Sequence, residues 1–376
     1  MLRLPAALVT SLMLFAATAA QSADTVLRIG AAAPLSGPQA SFGQGLVNGM
    51  RLYVDQLNAG GGLPGGVKVE LDASDDKADP REGVLVAQKF CDDTSVLAVL
   101  GHFNSGVTIP TLDVYGSCGM PQVTISSNPK VTNLGSTQVF RVIDDDYSQA
   151  EMSATYGFDT LRAKTAAVID DKQVFGQGVA KIFSDKFKKL GGQISSSSGV
   201  NATDVDFGPL ITKLKSENPD IVYVGAVMPQ LALILRQMRE QGLHATYMMP
   251  DGGYTEDFFA QAQKANADGA LVTIDVPPYD STAELAAFAK AYKTRFGEEP
   301  GAYSAHGYLS AWVVGESLKA LPAADRKRES LTKELHTITL KKSVLGIDVS
   351  FNEKGEIRGG STFLYKAVDG KFQLVR

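Results

Sequence analysis

The stretch VLAVLGHFNSGVTIP, Val96 to Pro110, passes from an unbroken apolar run to small and polar residues within a few positions. A short run of Val, Leu and Ala followed by turn residues is the pattern of a strand covered on both faces by helices. The polar residues then fall at the strand's carboxyl end, and the spacing predicts a helix beginning near Ser105. The first N–H groups of a helix have no intrahelical acceptor and carry partial positive charge. A small anion such as a carboxylate can be held there, with the Ser105 hydroxyl as a further donor. The competing reading of the same residues is structural, with Asn104 or Ser105 simply capping the helix.

Outward from this stretch, strand and helix patterns alternate. VLRIGAAAP begins a first strand within Thr25 to Ala33, and PLSGPQASFG reads as an irregular loop at its end. Leu46, Met50, Tyr53, Val54 and Leu57 then recur at helical spacing and are stopped by Gly60, Gly61 and Gly62. A strand at Val67 to Leu71 follows, and then a helix announced by Asp79, Pro80 and Glu82: an acidic cap, proline at the first helical position and Glu at the third. Further strands are expected around Met120 to Ile125 and at Thr165 to Ile169, Gln193 to Ser196, Ile221 to Val224, Thr246 to Met249 and Ala270 to Ile274. FRVID, Phe140 to Asp144, reads as a crossing between lobes. After Ser281 three helices are expected, near Glu284 to Phe296, Tyr303 to Leu321 and Arg328 to Leu335, then short strands. Such alternation means parallel sheets wound by right-handed crossovers, and ligands of such sheets bind beyond the carboxyl ends of the strands.

The remaining features bound the class. One basic residue, an apolar run from Leu4 to about Ala17 and the small residues TAAQSAD read as a secretory signal peptide over residues 1–23. The run is too short to span a membrane. About 350 residues then remain, too many for one compact core and suited to two lobes. A formal net charge of −5 without a basic cluster argues against nucleic acid. Cys91 and Cys118, an even count in an oxidising compartment, each end a predicted helix just before a strand; if those strands are neighbours, both lie on one sheet edge, and a disulfide is expected. No G-x-S-x-G elbow, metal-ligand spacing or complete dinucleotide fingerprint occurs, and His102, His244, His306 and His336 lack a catalytic context, so the chain does not read as an enzyme and no cofactor or metal is expected. The GQG pairs after Phe42 and Phe175 read as turn glycines, and Asp144 to Asp146 as a solvated stretch beside the crossing.

In this order and spacing, APLSGPQASFGQGLVNGMRLYVDQLNAGGGLPG, DDKADP, VLGHFNSG, DDKQVFGQG, DFGPLITKLK, LRQMREQGL and FNEKGEIRG resemble the type I periplasmic solute-binding proteins of ABC transporters, in the branched-chain amino-acid branch. The resemblance covers nearly all of the chain beyond the signal peptide. It implies an α/β fold of two doubly wound parallel-sheet lobes joined by a three-crossing hinge, here residues 24–143 plus 276–357 and residues 144–275 plus 358–376. It further implies a monomer that captures a neutral amino acid, branched-chain or small aliphatic, in the periplasm by lobe closure and delivers it to permease subunits in the inner membrane.

Carried over by position, the serine that binds the ligand carboxylate falls on Ser105 and its strand-end partner on Ser127, with Ser126 supplying backbone contacts. The acid for the ammonium group falls on Asp251, where relatives commonly have Glu, and the aromatic positions fall on Phe42, Phe175 and Tyr303. Two features depart from the pattern: Val227 stands where a cleft-lining tyrosine is frequent, and the cysteines lie away from the pair of the leucine-binding prototype, so the disulfide rests on the strand-edge reading above. Bulky Phe103 beside the carboxylate site favours a smaller side chain. His102 reads as fixing the strand end. The same cleft would also serve a sensor, or a binder of an amide or aromatic acid; Asp251 argues against the last.

Overall fold

The computed structural model describes residues 26–375, so the expected signal peptide lies outside the described residues. Strands β1 (Val26–Ala33), β2 (Lys68–Asp75), β3 (Val96–Gly101), β4 (Gln122–Thr124) and β5 (Val139–Arg141) form a parallel sheet in the order β2-β1-β3-β4-β5. Strands β6 (Thr165–Asp170), β7 (Gln193–Gly199), β8 (Ile221–Gly225), β9 (Thr246–Met249) and β10 (Leu271–Ile274) repeat that winding in a second sheet, as β7-β6-β8-β9-β10. In each sheet the order reverses beside the first strand, between β1 and β3 and between β6 and β8, and the loops that leave these strands form the crevice where such folds bind ligands. One departure from purely parallel lobes appears at the carboxyl end. There β11 (Phe363–Val368) and β12 (Lys371–Leu374) add an antiparallel hairpin beside β10.

The sequence forms these elements for local reasons. All residues of β3 are buried, as its unbroken apolar run requires of a strand sandwiched by helices. The Asp79 carboxylate accepts from the N–H groups of Arg81 and Glu82 at 2.7 and 3.2 Å, starting the helix Pro80–Asp92. That helix carries Cys91 in its last turn, and Cys118 follows the helix Ser105–Ser117; the two are joined in a disulfide. Both cysteines precede the amino ends of neighbouring strands, as expected.

The glycines of the first GQG are not in a turn. The helix begins at Ala40, well before the Leu46 periodicity, and Gly43 lies in its first turn, where a Cβ would stand 1.9 Å from the Pro34 carbonyl oxygen. The second pair, Gly176 and Gly178, likewise lies within the helix Val174–Lys189. Further along, Gly49 meets the helix Ser304–Ala320: a Cβ on Gly49 would stand 1.9 Å from the Ser304 carbonyl, and one on Gly307 equally close to that of Leu46. The two helices pack backbone to backbone, which only residues without a side chain permit.

The chain passes between the two sheets after β5, after β10 and before β11. The passages are tied together. The Asp144 N–H donates to the Asp275 carboxylate at 2.9 Å, which also accepts the Thr362 hydroxyl at 2.5 Å. Arg141, fully buried at the end of β5, makes a two-pronged contact with Glu356.

Candidate functional site

The strand-end loops of the two sheets meet around a small cavity lined by Phe103, Asn104, Ser105, Ile125, Ser127, Phe175, Val227, Asp251, Gly252 and Tyr303. The structure thus brings together seven of the residues singled out in the sequence. Ser105 is the first residue of the helix Ser105–Ser117, whose opening turn closes onto the Asn104 carbonyl through the N–H groups of Val107 and Thr108. The N–H groups of Ser105 and Gly106 precede that turn and have no intrahelical acceptor. The Ser105 hydroxyl accepts the Asn128 N–H at 3.2 Å, which anchors it to the loop after β4 and leaves its own proton to donate. Asn104 does not cap the helix with its side chain. Its amide donates to Gln39 at 2.8 Å, and its Oδ1 is buried without a partner.

The loop after β4 is held from beneath by Arg141, whose guanidinium donates to the carbonyls of Ser126, Ser127 and Asn128 at 3.2, 2.9 and 2.9 Å. Ser126 and Phe42 do not line the cavity. The Ser126 hydroxyl turns inward, 3.1 Å from the carbonyls of His102 and Phe103, and its carbonyl is taken by Arg141. Phe42 stands behind the wall, stacked on Phe103 at 5.6 Å and edge-on to Tyr303 at 5.6 Å; Tyr303 meets Phe103 edge-on at 4.9 Å. These three rings fix the first-lobe wall by offset and edge contacts. His102 is fully buried between Asp76 at 2.7 Å and Tyr115 at 3.1 Å, and so fixes the strand end as expected.

From the second sheet come Phe175, in the first turn of the helix Val174–Lys189, Val227 after β8, and Asp251 after β9. The carboxylate of buried Asp171 accepts the N–H groups of Gln173 and Val227, joining the two loops that carry Phe175 and Val227. Asp251 is 6% exposed, and burial raises its pKa to about 6 against the hydrogen bonds it receives from Tyr303 and Gln149. The same burial, reinforced by Asp251, drives the Tyr303 hydroxyl well above its ordinary value, so it stays a donor.

The acidic run beside the first crossing is solvated only in part: Asp144 and Asp145 are half-buried, while Asp146 turns inward. Asp146 is 0% exposed, and burial raises its carboxyl to about 7, opposed by the Ser127 hydroxyl and raised further by Asp251. Its N–H donates to the Ser127 carbonyl at 2.9 Å, which ties the start of the helix Asp146–Thr155 to the loop that carries Ser127. Gln149, one turn on, donates to Asp146 and accepts the Asp251 N–H, both at 3.1 Å. A carboxylate inside a charged triplet reads as surface, and nothing in the sequence marks which of three neighbouring aspartates turns inward. Asp146, Gln149 and Arg141 are therefore what sequence reasoning missed.

The two halves are closed on one another: the Ser41 hydroxyl donates to Asp257 at 2.9 Å and the Asn128 amide to the Val174 carbonyl at 3.2 Å. The result is a cavity with hydroxyl and N–H donors on one side, a buried acid on the other and apolar walls between. Among the described residues no group of His, Cys, Asp and Glu is arranged to hold a metal ion, and no helix is long and apolar enough to cross a membrane.

Residues 26–371 match the family model described as periplasmic binding protein. The chain is 34% identical over 358 residues to a Leu/Ile/Val-binding protein homolog of Brucella abortus, covering 94% of both chains. It is 30% identical to a leucine-, isoleucine-, valine-, threonine- and alanine-binding protein of Pseudomonas aeruginosa, over 93% of this chain and 92% of that one. A leucine-binding protein from Thermotoga maritima superposes with a TM-score of 0.85 at 26% identity, covering 93% of this chain and 98% of that one. Two sheets with the same winding, closed over a cavity at their strand ends, are thus accompanied by a match along nearly the whole described chain: this protein belongs to the periplasmic binding protein family.

Proposed function

We propose that the protein is the solute-capturing component of an ABC transporter, closing its two lobes around a neutral aliphatic amino acid in the periplasm and presenting it, as a monomer, to permease subunits. The observation that carries this reading is the polarity of one enclosed cavity. Ser105, Ser127 and the helix start offer donors for a carboxylate, while Asp251 offers a buried acceptor for an ammonium group. A zwitterion needs both, placed in advance, because both its charges lose water on entering. The curated relatives carry amino-acid-binding names, which supports the same class.

Phe103, Phe175, Val227 and Tyr303 would wall the solute's side chain. In this closed form the cavity is small, with about 30 Å³ open to the centre of a water-sized sphere, which suits the small end of the aliphatic range. We place the hinge where the chain passes between the sheets, near residues 143–144, 275–276 and 357–358. Capture then shifts an open–closed equilibrium because only the closed form brings both ends of the site to the solute.

Calorimetric titration of refolded, ligand-stripped protein with neutral, acidic and basic amino acids, γ-aminobutyrate, amides and benzoate tests the reading. Tight binding of one or a few neutral amino acids supports it. Binding of benzoate or an amide with no heat from any amino acid overturns the roles of Ser105 and Asp251.

A further inference from the structure

We propose that Asn104 sets the specificity of this cavity: its Oδ1 accepts a hydrogen bond from a side-chain hydroxyl of the captured solute, so that threonine or serine is held in preference to valine or alanine. The inference rests on the functional reading above and narrows it to a side-chain class.

The starting observation is an acceptor with nothing to accept. Asn104 lines the cavity, and its Oδ1 is buried without a partner. Among the described residues it is the one such side-chain atom that belongs to a residue of the cavity wall. Buried amide oxygens are ordinarily hydrogen-bonded, because one left unpaired has lost its water without replacement. An Asn just before a helix commonly turns its oxygen onto the first N–H groups, yet here no such bond forms. The Asn104 side chain is held instead by Gln39, to which its amide nitrogen donates at 2.8 Å. That bond satisfies the nitrogen and leaves the oxygen for another donor.

Sheet order sets this acceptor apart from the groups proposed for the solute's two charged ends. β3 lies between β1 and β4. The Ser105 hydroxyl is tied to Asn128, in the loop after β4, whereas Asn104 is tied to Gln39, in the loop after β1. Successive residues beyond the end of β3 therefore lean to opposite sides. The proposed carboxylate donors Ser105 and Ser127 lie toward β4, and Asp251 comes from the second sheet. The side toward β1 is left to the side chain of the solute. There Phe103 is backed by Phe42, from the helix after β1, and met edge-on by Tyr303. An apolar wall with one free acceptor beside it, in a small cavity, fits a short side chain that carries a hydroxyl. A hydroxyl both donates and accepts, so it can meet either end of the Asn104 amide; a methyl group can meet neither.

Threonine and valine have nearly the same shape, so comparing them isolates the hydroxyl. In a wholly apolar pocket valine binds more tightly, because the threonine hydroxyl loses its water without a partner. With Asn104 as acceptor the order reverses. The test is calorimetric titration of refolded, ligand-stripped wild-type protein and of Asn104→Leu with L-threonine, L-valine, L-serine, L-alanine, L-leucine and L-isoleucine. The wild-type protein is expected to bind threonine over valine, and serine over alanine, by about tenfold or more. Asn104→Leu is expected to bind valine over threonine. A merely structural Asn104 would weaken all solutes alike and leave these ratios unmoved. Valine bound by the wild-type protein as tightly as threonine, or binding confined to leucine and isoleucine, overturns this inference alone, whether or not the variant folds. No binding of any of the six overturns the functional reading and this inference with it.

Discussion

Asp251→Asn separates what the acid costs the empty protein from what it gives the complex. The side chain is nearly isosteric, and the Asp251 N–H to Gln149 bond is made by the backbone and survives the change. Burial raises the carboxyl from its ordinary 3.8 to about 6, which corresponds to about 3 kcal/mol spent on holding the charge once the pH exceeds 6. A raised carboxyl pKa favours the folded state only while the group is protonated; that contribution is present below pH 3.8 and lost as the pH rises through about 6. The ligand-free variant is therefore expected to gain up to about 3 kcal/mol on wild type between pH 4 and pH 7.5 in urea unfolding. Affinity should move the other way. Without the carboxylate a buried ammonium loses its partner, a loss of about 3–5 kcal/mol or roughly 100-fold and more in Kd at pH 7.5. Equal destabilisation at both pH values, with unchanged affinity, would refute the reasoning.

Other substitutions probe separate parts. Ser105→Ala removes the donor proposed for the solute carboxylate and the acceptor of the Asn128 N–H; affinity measured by calorimetry should fall more than about tenfold, with a stability loss of about 1 kcal/mol. Cys91→Ser with Cys118→Ser opens a loop of sequence separation 27, costing about 3.5 kcal/mol in chemical unfolding. Affinity should be unchanged, because the bridge lies at the amino edge of the sheet and the cavity at its carboxyl edge. Arg141→Lys cannot span Glu356 and three carbonyls at once, and is expected to cost about 3–5 kcal/mol of stability in the same assay and to weaken solute binding by loosening the Ser127 loop.

The elements that were legible in the sequence are those set by period and punctuation. β9 runs over Thr246–Met249 as its apolar run indicates, and the helix at Pro80 starts where Asp79 and Pro80 place it. Strand-end position likewise marks Ser105, Ser127, Val227 and Asp251, which line one cavity. Side-chain direction was not legible. Ser126 and Ser127 are adjacent and chemically identical, yet the first turns to the core and the second to the cavity, a choice made by Arg141 pulling three successive carbonyls. Phe42 was drawn off the wall by its stack with Phe103, and Asp146 was drawn inward by Ser127 and Gln149. Each of these depends on residues distant in the chain or on a tertiary turn that spacing does not encode. The glycines after Phe42 misled for a related reason: a helical glycine needed for close approach has the same letter as one needed for a turn.

The backbone-to-backbone seam at Gly49 and Gly307 bears on how such a protein can change over generations. Tyr303 immediately precedes the helix that Gly307 carries, so a wedge of even one methyl group in the seam would push that ring away from Asp251. Tolerance to substitution is then distributed against intuition. Positions that line the cavity, such as Val227 and Phe175, can be exchanged to reshape it while the frame stays intact, whereas two glycines that do not line it admit no replacement. A lineage of such proteins would diversify at the cavity wall and stay fixed along a seam that never meets the cargo.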